Sequence, residues 1–509
     1  MTIPKRNLAL QYTAVLCGAL VLYIASCAPG VLWQDSSFIQ YRAWHNDIEG
    51  FFGLAVAHPL FYIIAIGAKY IPAGELAYRT NLLSAIAAAF TVANMFLLVR
   101  LWLDETLPAA VAAITLAVSH TFWFHASIAE TYTLFSALFL AELIMLLQYA
   151  KTNRVFYLYI LALFNGLAIS VHILAFIPLV CYVLFIIVRL IKKDIRIRDL
   201  VVIILLWIVG GLPYEYLIIQ NILRTSDISG TLASAAFGNR WQQAVLNSSI
   251  SMRTLIEDIS YVLLNFPTPN ILLFFVGCYG LYKISPARGF KIVLIGITIL
   301  FFIFAFRYTV PDRYAFFIPF YCTAAIFMGI GTYILQQHIN MRYLIPTVLI
   351  FSLLPINVYA VAPILAKKIQ LDIGTRSDIP YRDDYAYFLQ PWKTGYTGAE
   401  KFADNIFNTV EKDAVIYADS TTAPPLLYVQ EVRGIRPDVK IISGTVNSKD
   451  SPKLDENTIE QLIQERSIYI VSPKPGYCPS FILENYKLNR IDILWKVEGR
   501  KTNQSARTQ

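Results

Sequence analysis

The strongest constraint on the fold of this chain is a series of apolar runs, each about as long as a bilayer is thick. A transmembrane α-helix needs about 20 consecutive apolar residues. Runs of this kind start near Leu8, Asn81, Leu107, Tyr132, Val155, Ile173, Val201, Ile271, Ile292, Tyr314 and Tyr343. Of the 509 residues, 57% are hydrophobic and only 15% are charged, whereas a soluble domain is about 25% charged. The sequence therefore predicts a polytopic α-helical membrane protein with about 11 spans.

The positions of the basic residues predict the topology. A twelfth apolar segment, Phe51–Ile71, could either span the membrane or lie along its outer surface. If it does not span and the N-terminus is cytoplasmic, the basic loops 151–154, 189–198 and 283–291 all face the cytoplasm, as the positive-inside rule requires. We therefore expect a cytoplasmic N-terminus and an extracytoplasmic C-terminus, with a twelfth span as the alternative. These loops account for much of the net charge of +8, so no nucleic-acid partner is indicated.

The composition changes near residue 365, where the long apolar runs end. Short β-branched runs alternate there with helix-like stretches, a pattern typical of an α/β domain with a largely parallel sheet. The strands are predicted at 414–417, 439–442 and 467–471, and the helices at 398–410, 423–432 and 456–466. The predicted domains are a transmembrane domain (1–364) with a first outer loop and juxtamembrane helices (29–80), an extracytoplasmic α/β domain (365–500) and a disordered tail (501–509).

Two acidic residues at the predicted outer boundary are the main candidates for catalysis. A charge near the hydrocarbon boundary is costly and usually has a partner or a task. Asp35 could accept a proton or bind a metal ion, or it could cap the next helix together with Ser36 and Ser37. Glu130 could join the site, or it could only complement the dipole of the helix that it opens. If the first helices pack together, the outer boundary contains Asp35, His58, Trp123, His125 and Glu130.

Later polar residues could bind a phosphate. His172 divides two spans and either faces the site or serves in packing. Arg307 and Arg313 are better phosphate ligands because a guanidinium binds bidentately. Asp312 either belongs to the same substrate site or forms an interfacial ion pair with Arg313. No Walker, GxGxxG, HExxH or CxxC motif occurs, so ATP-driven transport, dinucleotide binding and zinc proteolysis lack their usual support.

Four motifs carry a resemblance to a known family. They are Asp35-Ser36, His58-Pro59-Leu60, Ala129-Glu130-Thr131-Tyr132-Thr133-Leu134 and His172. With them the chain resembles the GT-C superfamily of membrane glycosyltransferases and, within it, the bacterial protein O-mannosyltransferase-like family. The segments Ile379-Pro380-Tyr381-Arg382-Asp383 and Gly434-Ile435-Arg436-Pro437-Asp438-Val439 also resemble that family, so the resemblance covers nearly the whole chain. The chain departs from that family where Ser37-Phe38 replaces a Gly-Glu pair and where the Pro-rich motif at His58 is shortened.

The resemblance implies a reaction and its participants. A mannose-like sugar would pass, with inversion, from a polyprenyl-phosphate-linked donor to a protein or glycan acceptor on the extracytoplasmic face. Asp35 would be the general base, Glu130 would orient the acceptor or the base, and Arg307, Arg313 and His172 would stabilise the departing phosphate. The chain would be an integral protein of a bacterial inner membrane, in contact with its lipids. No cofactor is certain, and a divalent metal ion stays open.

Three other functions stay open at this point. The acceptor could be a lipid rather than a protein. The chain could instead be a transporter or flippase for a lipid-linked sugar, although such proteins usually contain paired repeats and none stands out here. It could also be a structural subunit whose acids are only interfacial.

Overall fold

The computed structural model describes residues 5–501 except 73, 285–286, 311, 374–375, 377 and 445–453. The predicted tail therefore lies outside the described residues, apart from Lys501. The first ten helices are α1 (Lys5–Ser26), α2 (Gln34–Trp44), α3 (Pro59–Gly67), α4 (Leu76–Leu103), α5 (Thr106–Ala117), α6 (His120–Ala126), α7 (Tyr132–Thr152), α8 (Phe156–Val171), α9 (Phe176–Ile191) and α10 (Ile197–Thr225).

The remaining helices follow in chain order. They are α11 (Ile228–Phe237), α12 (Gln242–Val245), α13 (Met252–Asn265), α14 (Leu272–Gly280), α15 (Arg288–Arg307), α16 (Ile318–Leu335), α17 (Met341–Leu353), α18 (Pro355–Lys368), α19 (Asp384–Leu389), α20 (Gly398–Thr409), α21 (Ala423–Arg433), α22 (Glu456–Glu465) and α23 (Ser480–Asn485). Short 3-10 helices lie at Leu54–Val56, Ala68–Tyr70, Ile173–Ala175, Pro269–Ile271, Leu281–Lys283 and Arg313–Phe317.

The described residues contain eight helices that are long and apolar enough to cross a membrane. The number rises to ten if two bent pairs each count as one span, α5 with α6 (67°) and α13 with Pro269–Lys283 (108°). The one remaining predicted run, which starts near Val155, forms α8, whose 16 residues are fewer than the roughly 20 that a span needs. The segment Phe51–Ile71 contains only a short apolar helix, Pro59–Tyr70. The chain is thus a mostly helical integral membrane protein.

Helices α8 and α10 approach most closely at two glycines. A Cβ on Gly166 would lie 2.2 Å from the Trp207 carbonyl oxygen, and one on Gly210 would lie 2.4 Å from the Leu163 carbonyl oxygen. Both obstacles are backbone atoms, which cannot rotate away. Small residues of this kind let transmembrane helices pack backbone to backbone.

We expect Gly166→Ala to destabilise the protein by about 1–3 kcal/mol, because the methyl group forces α8 and α10 apart. The matched control is Gly67→Ala, since a Cβ there meets no atom within 4 Å. Thermal unfolding of both variants in detergent measures the difference. Equal midpoints for the two variants would contradict this account of the packing.

The C-terminal part forms a small α/β unit (residues 398–500) around a five-stranded sheet. The strands are β1 (Val415–Tyr417), β2 (Lys440–Ile442), β3 (Ile468–Ile470), β4 (Tyr486–Ile491) and β5 (Leu494–Arg500). Their order is β2-β1-β3-β5-β4, with β1 parallel to β2 and β3, while β5 is antiparallel to β3 and β4. The three predicted strands and three predicted helices are present. The expected largely parallel sheet is corrected to a mixed one, because the chain also forms the hairpin β4–β5.

The α/β unit shares a hydrophobic core with the loop between α1 and α4 (residues 27–75). Trp33 of this α1–α4 loop is 1% exposed, and its ring lies 5.2 Å from that of Phe402 in α20. Helix α2 packs on α21, where Tyr41 and His45 both bond the Glu431 carboxylate at 3.0 and 2.6 Å. The loop that carries Asp35 is therefore packed against the C-terminal unit over much of its length.

Candidate active site

The structure brings three acids from distant parts of the chain together, and we call them the acidic cluster: Asp35, Glu130 and Asp312. Asp35 lies in the first turn of α2, Glu130 precedes α7, and Asp312 precedes the turn before α16. The Asp35 side chain is exposed, and the other two are half-buried. Each lies outside the candidate spans. The cluster therefore occupies one end of the helix bundle, where polar groups can meet water.

Two serines fix the backbone around this cluster. The Ser36 hydroxyl accepts a hydrogen bond from the Ala129 N–H at 3.1 Å, which joins α2 to the segment before α7. The Ser84 hydroxyl of α4 donates to the Glu130 carbonyl at 2.8 Å and accepts from the Glu130 N–H at 2.9 Å. The alternative that Asp35 caps the next helix together with Ser36 and Ser37 is wrong, because all three lie inside α2 and α2 has no side-chain cap hydrogen bond.

The electrostatics of the cluster favour protonation. Protein atoms crowd the Asp35 carboxylate, although water still reaches it. The resulting loss of hydration is the larger cause, and the negative charge of Asp312 the smaller one, that raise the pKa of Asp35 to about 7. Loss of hydration, and then the charges of Asp35 and Asp312, raise the pKa of Glu130 well above its ordinary value. Loss of hydration also raises the pKa of Asp312. No described residue forms a hydrogen bond or ion pair with the Asp35 carboxylate. Such a carboxyl can take up a proton near neutral pH.

A pair of neutral histidines lies next to the cluster. The rings of His58 and His172 are 4.8 Å apart, and Tyr132, which interacts with all three acids, lies 5.0 Å from His172. The Leu174 N–H donates to His172 Nδ1 at 3.1 Å, so the neutral ring carries its proton on Nε2. His58 Nδ1 donates to the Val171 carbonyl at 2.8 Å. Loss of hydration lowers the pKa of His58 to about 4 and that of His172 well below its ordinary value.

Trp123 and His125 are 4% and 3% exposed and bond protein groups. The Trp123 indole donates to the Ser26 hydroxyl at 2.8 Å and packs on Trp392. His125 Nδ1 donates to the Thr121 carbonyl at 2.7 Å, and its ring lies 5.1 Å from Tyr132. Both side chains therefore form part of the wall behind the site rather than its accessible surface.

The two arginines predicted to bind phosphate have different environments. Arg313 is 5% exposed and pairs with Asp258 and Glu257 of α13, not with its neighbour Asp312. Arg307 is half-buried and donates to the Asn247 carbonyl at 2.7 Å. Among the described residues it has no carboxylate partner, so its charge is available to an anion.

A divalent ion, which the sequence left open, requires several ligands that converge on one point. Among the described residues, no three His, Cys, Asp or Glu side chains are arranged to hold a metal ion. The acidic cluster therefore does not fit a metal site.

Some features of the site were not predicted from the sequence. Gln34 and His58 have φ angles of +56° and +54°, in the left-handed region that residues with a Cβ seldom adopt. Such backbone strain is concentrated at functional sites. Arg42 is 4% exposed and stacks 3.7 Å over the Tyr62 ring, which interacts with Asp35 and Glu130. Tyr132 lies within one of the four motifs, but its electrostatic interaction with all three acids depends on the fold.

Known proteins match both the sequence and the fold. Residues 51–195, which contain His58, Glu130 and His172, match the family described as Protein O-mannosyl-transferase TMEM260 N-terminal domain. A comparison with curated proteins finds no match. The fold is similar to that of ArnT from Cupriavidus metallidurans bound to undecaprenyl phosphate, with TM-score 0.60 and 14% identity over 97% of this chain and 98% of that chain. ArnT in the apo state matches with TM-score 0.62 and 13% identity over 96% and 98%.

The chain has the GT-C fold. The resemblance derived from the four motifs is thereby confirmed. Because the ArnT match spans nearly all of both chains, the GT-C fold here includes the α/β unit as well as the membrane helices. Asp35 lies outside the matched range 51–195, so its role depends on its position in the GT-C fold.

Proposed function

We propose that the chain is a membrane glycosyltransferase that moves mannose from a polyprenyl-phosphate carrier to a hydroxyl of a protein acceptor on the extracytoplasmic face. The match of residues 51–195 to a protein O-mannosyltransferase family supports the sugar and the acceptor. The ArnT fold, solved in complex with undecaprenyl phosphate, supports the lipid carrier. We extend the proposal to a bacterial inner membrane, with the N-terminus cytoplasmic and the α/β unit outside.

The observation that carries the proposal is the unpaired Asp35 carboxylate beside Glu130 and Asp312. A carboxylate bonded to an arginine would keep a low pKa and would be a weak base. Asp35 has no such partner among the described residues, and its pKa is raised to about 7. A general base acts best when its pKa is near the working pH. Asp35 is therefore the residue of the cluster best suited to take a proton.

In the proposed reaction, the acceptor hydroxyl oxygen forms a bond to C1 of the sugar as the bond from C1 to the phosphate oxygen breaks. The hydroxyl proton passes to the Asp35 carboxylate, and the polyprenyl phosphate leaves with the electron pair of the broken bond. Attack opposite the leaving group inverts C1. Glu130 orients the acceptor through its proximity to Asp35, and Asp312 contributes to substrate binding.

The leaving phosphate needs positive charge or hydrogen-bond donors. Arg307 supplies the charge, since its guanidinium has no carboxylate partner among the described residues. Its neighbour Tyr308 interacts electrostatically with Asp312. His58 is neutral and half-buried, so it acts as a hydrogen-bonding group rather than a cation. His172 is also neutral but only 4% exposed, so it supports the His58 ring, 4.8 Å away, rather than meeting the phosphate. Arg313 is held in its ion pair with Asp258 and positions the adjacent Asp312 instead of binding phosphate.

The proposal predicts sugar transfer by the purified full-length protein in lipid nanodiscs. Polyprenyl-phosphate-linked radiolabelled mannose is the donor, and a peptide containing Ser and Thr is the acceptor. We expect label on the peptide and release of polyprenyl phosphate. Label on an added lipid instead would favour a lipid acceptor. Movement of the donor between leaflets without any transfer would favour a flippase, and either outcome would overturn the proposal.

A further inference from the structure

The residue before Asp35 has an unfavourable backbone conformation. Trp33 is extended, Gln34 has φ +56°, and α2 begins at Gln34. The left-handed conformation brings Cβ close to the following carbonyl oxygen, so only glycine adopts it freely. The direction of the Asp35 side chain depends on the backbone conformation of Gln34. Contacts from elsewhere must hold it, because Gln34 alone would favour another conformation.

Trp33 and Gln34 are held by contacts from the α/β unit and from the segment that precedes it. The Trp33 indole N–H donates to the Tyr396 hydroxyl at 2.6 Å. The Gln34 N–H donates to the Thr421 carbonyl at 3.3 Å. Thr421 lies in the turn that follows β1, at the carboxyl end of the parallel strands. In open α/β sheets that end usually binds a ligand, but here the turn contacts the α1–α4 loop.

One carboxylate fixes the turn that presents the Thr421 carbonyl. Asp419 Oδ1 accepts hydrogen bonds from the Thr421 N–H at 2.9 Å, the Thr422 N–H at 3.0 Å and the Thr422 hydroxyl at 3.0 Å. Its other oxygen pairs with Arg376. Asp419 is 8% exposed. Removal of this carboxylate would free the backbone of the turn and, with it, the acceptor of the Gln34 N–H.

We infer that the Asp419–Thr422 turn of the α/β unit is a positioning device for Asp35, acting through the Thr421 carbonyl and the left-handed Gln34. Asp419 is thus a positioning residue, although it belongs to a different part of the chain from the acidic cluster. The effect on catalysis rests on the proposed function, whereas the effect on the α1–α4 loop does not.

Hydrogen exchange of the full-length protein in nanodiscs tests the contact itself. Asp419→Ala is expected to increase exchange in residues 31–37 at least tenfold and to leave α4 unchanged. Asp419→Asn retains an oxygen acceptor and should behave like the wild type. The matched control is Asp455→Ala, because Asp455 also accepts from a backbone N–H and a hydroxyl, both of Thr458, but these contacts lie within the α/β unit. If Asp419→Ala does not fold, Thr422→Val replaces it and should increase exchange in the same residues, because it removes the hydroxyl that donates to Asp419 Oδ1 in this turn.

Transfer kinetics separate positioning from folding. Asp419→Ala should lower kcat about tenfold with little change in KM, and Gln34→Gly in that background should restore most of the loss, because glycine adopts positive φ without strain. Unchanged exchange in residues 31–37, or no recovery with Gln34→Gly, would overturn the inference. A wild-type protein without transfer activity would refute the proposed function, and the exchange result would still decide the inference.

Discussion

Asp35→Asn is expected to reduce sugar transfer by about 10²- to 10⁴-fold, the contribution typical of a general base. Asparagine has the same shape but cannot take up the acceptor proton. In the wild type, transfer should fall as the pH drops below the Asp35 pKa of about 7, because the carboxyl becomes protonated. Initial rates with the lipid-linked donor, measured between pH 5 and 9, check both statements. The control is Asp227→Asn, since asparagine still caps α11.

The same variant has a predicted effect on stability with a defined sign. A carboxyl whose pKa is raised on folding binds a proton in the folded state where the unfolded chain has lost it. Stability therefore falls as the pH rises from the ordinary pKa of 3.8 to about 7. Asp35→Asn lacks this ionisation. Its free energy of unfolding, minus that of the wild type, should therefore be larger at pH 8 than at pH 5. An Asp35→Asn variant that folds normally and keeps full activity would refute the assignment of the base.

Breaking the Arg313 ion pair is expected to destabilise the protein by about 3–5 kcal/mol, because Arg313→Leu leaves Asp258 buried without its partner. Asp258 is 2% exposed, and Arg313 is 5% exposed. The double variant Arg313→Leu with Asp258→Leu removes both charges and should recover most of the stability. Thermal unfolding in detergent compares both variants with the wild type.

The double variant also distinguishes a structural role of Arg313 from phosphate binding. If Arg313 has a structural role, the double variant should have a nearly unchanged KM for the donor. Arg307→Gln, the comparison variant, should raise that KM because Arg307 has no competing carboxylate among the described residues. A stable double variant with a greatly increased KM would restore Arg313 as a phosphate ligand.

The membrane helices could be predicted because lipid leaves few alternatives. A chain in hydrocarbon must satisfy its backbone polar groups within each helix, so a long apolar run indicates a helix. Such a run does not specify bends, so the break at Val118–Ser119 was missed, and the run predicted from Ile271 did not include α13, which forms a bent pair with it. The parallel strands were found from their β-branched runs. The hairpin β4–β5 was missed because its strands are rich in charged and polar residues. Its two-residue turn consists of Asp492, with φ +52°, and Ile493.

The site was predictable only in part because its residues meet through long-range packing. The motifs indicated Asp35, Glu130 and His172 as candidates, and the structure places Asp312, a candidate for substrate binding, near the two acids. The partner of Arg313 could not be predicted, since Asp258 is 55 residues away in the chain while Asp312 is adjacent. Trp123 and His125 were expected at the site as aromatic and titratable residues, but burial, which a sequence does not display, places them behind it.

The shared core between the α1–α4 loop and the α/β unit has a consequence for biosynthesis. Asp35 is made shortly after α1, whereas Tyr396, Phe402 and Thr421, which contact Trp33 and Gln34, are made after α18. A ribosome that has completed all the membrane helices has therefore not yet supplied the partners of this loop. A chain truncated after α18 would insert its spans and still lack an ordered Asp35. The α1–α4 loop, and Asp35 with it, is therefore expected to become ordered only after the α/β unit has been made.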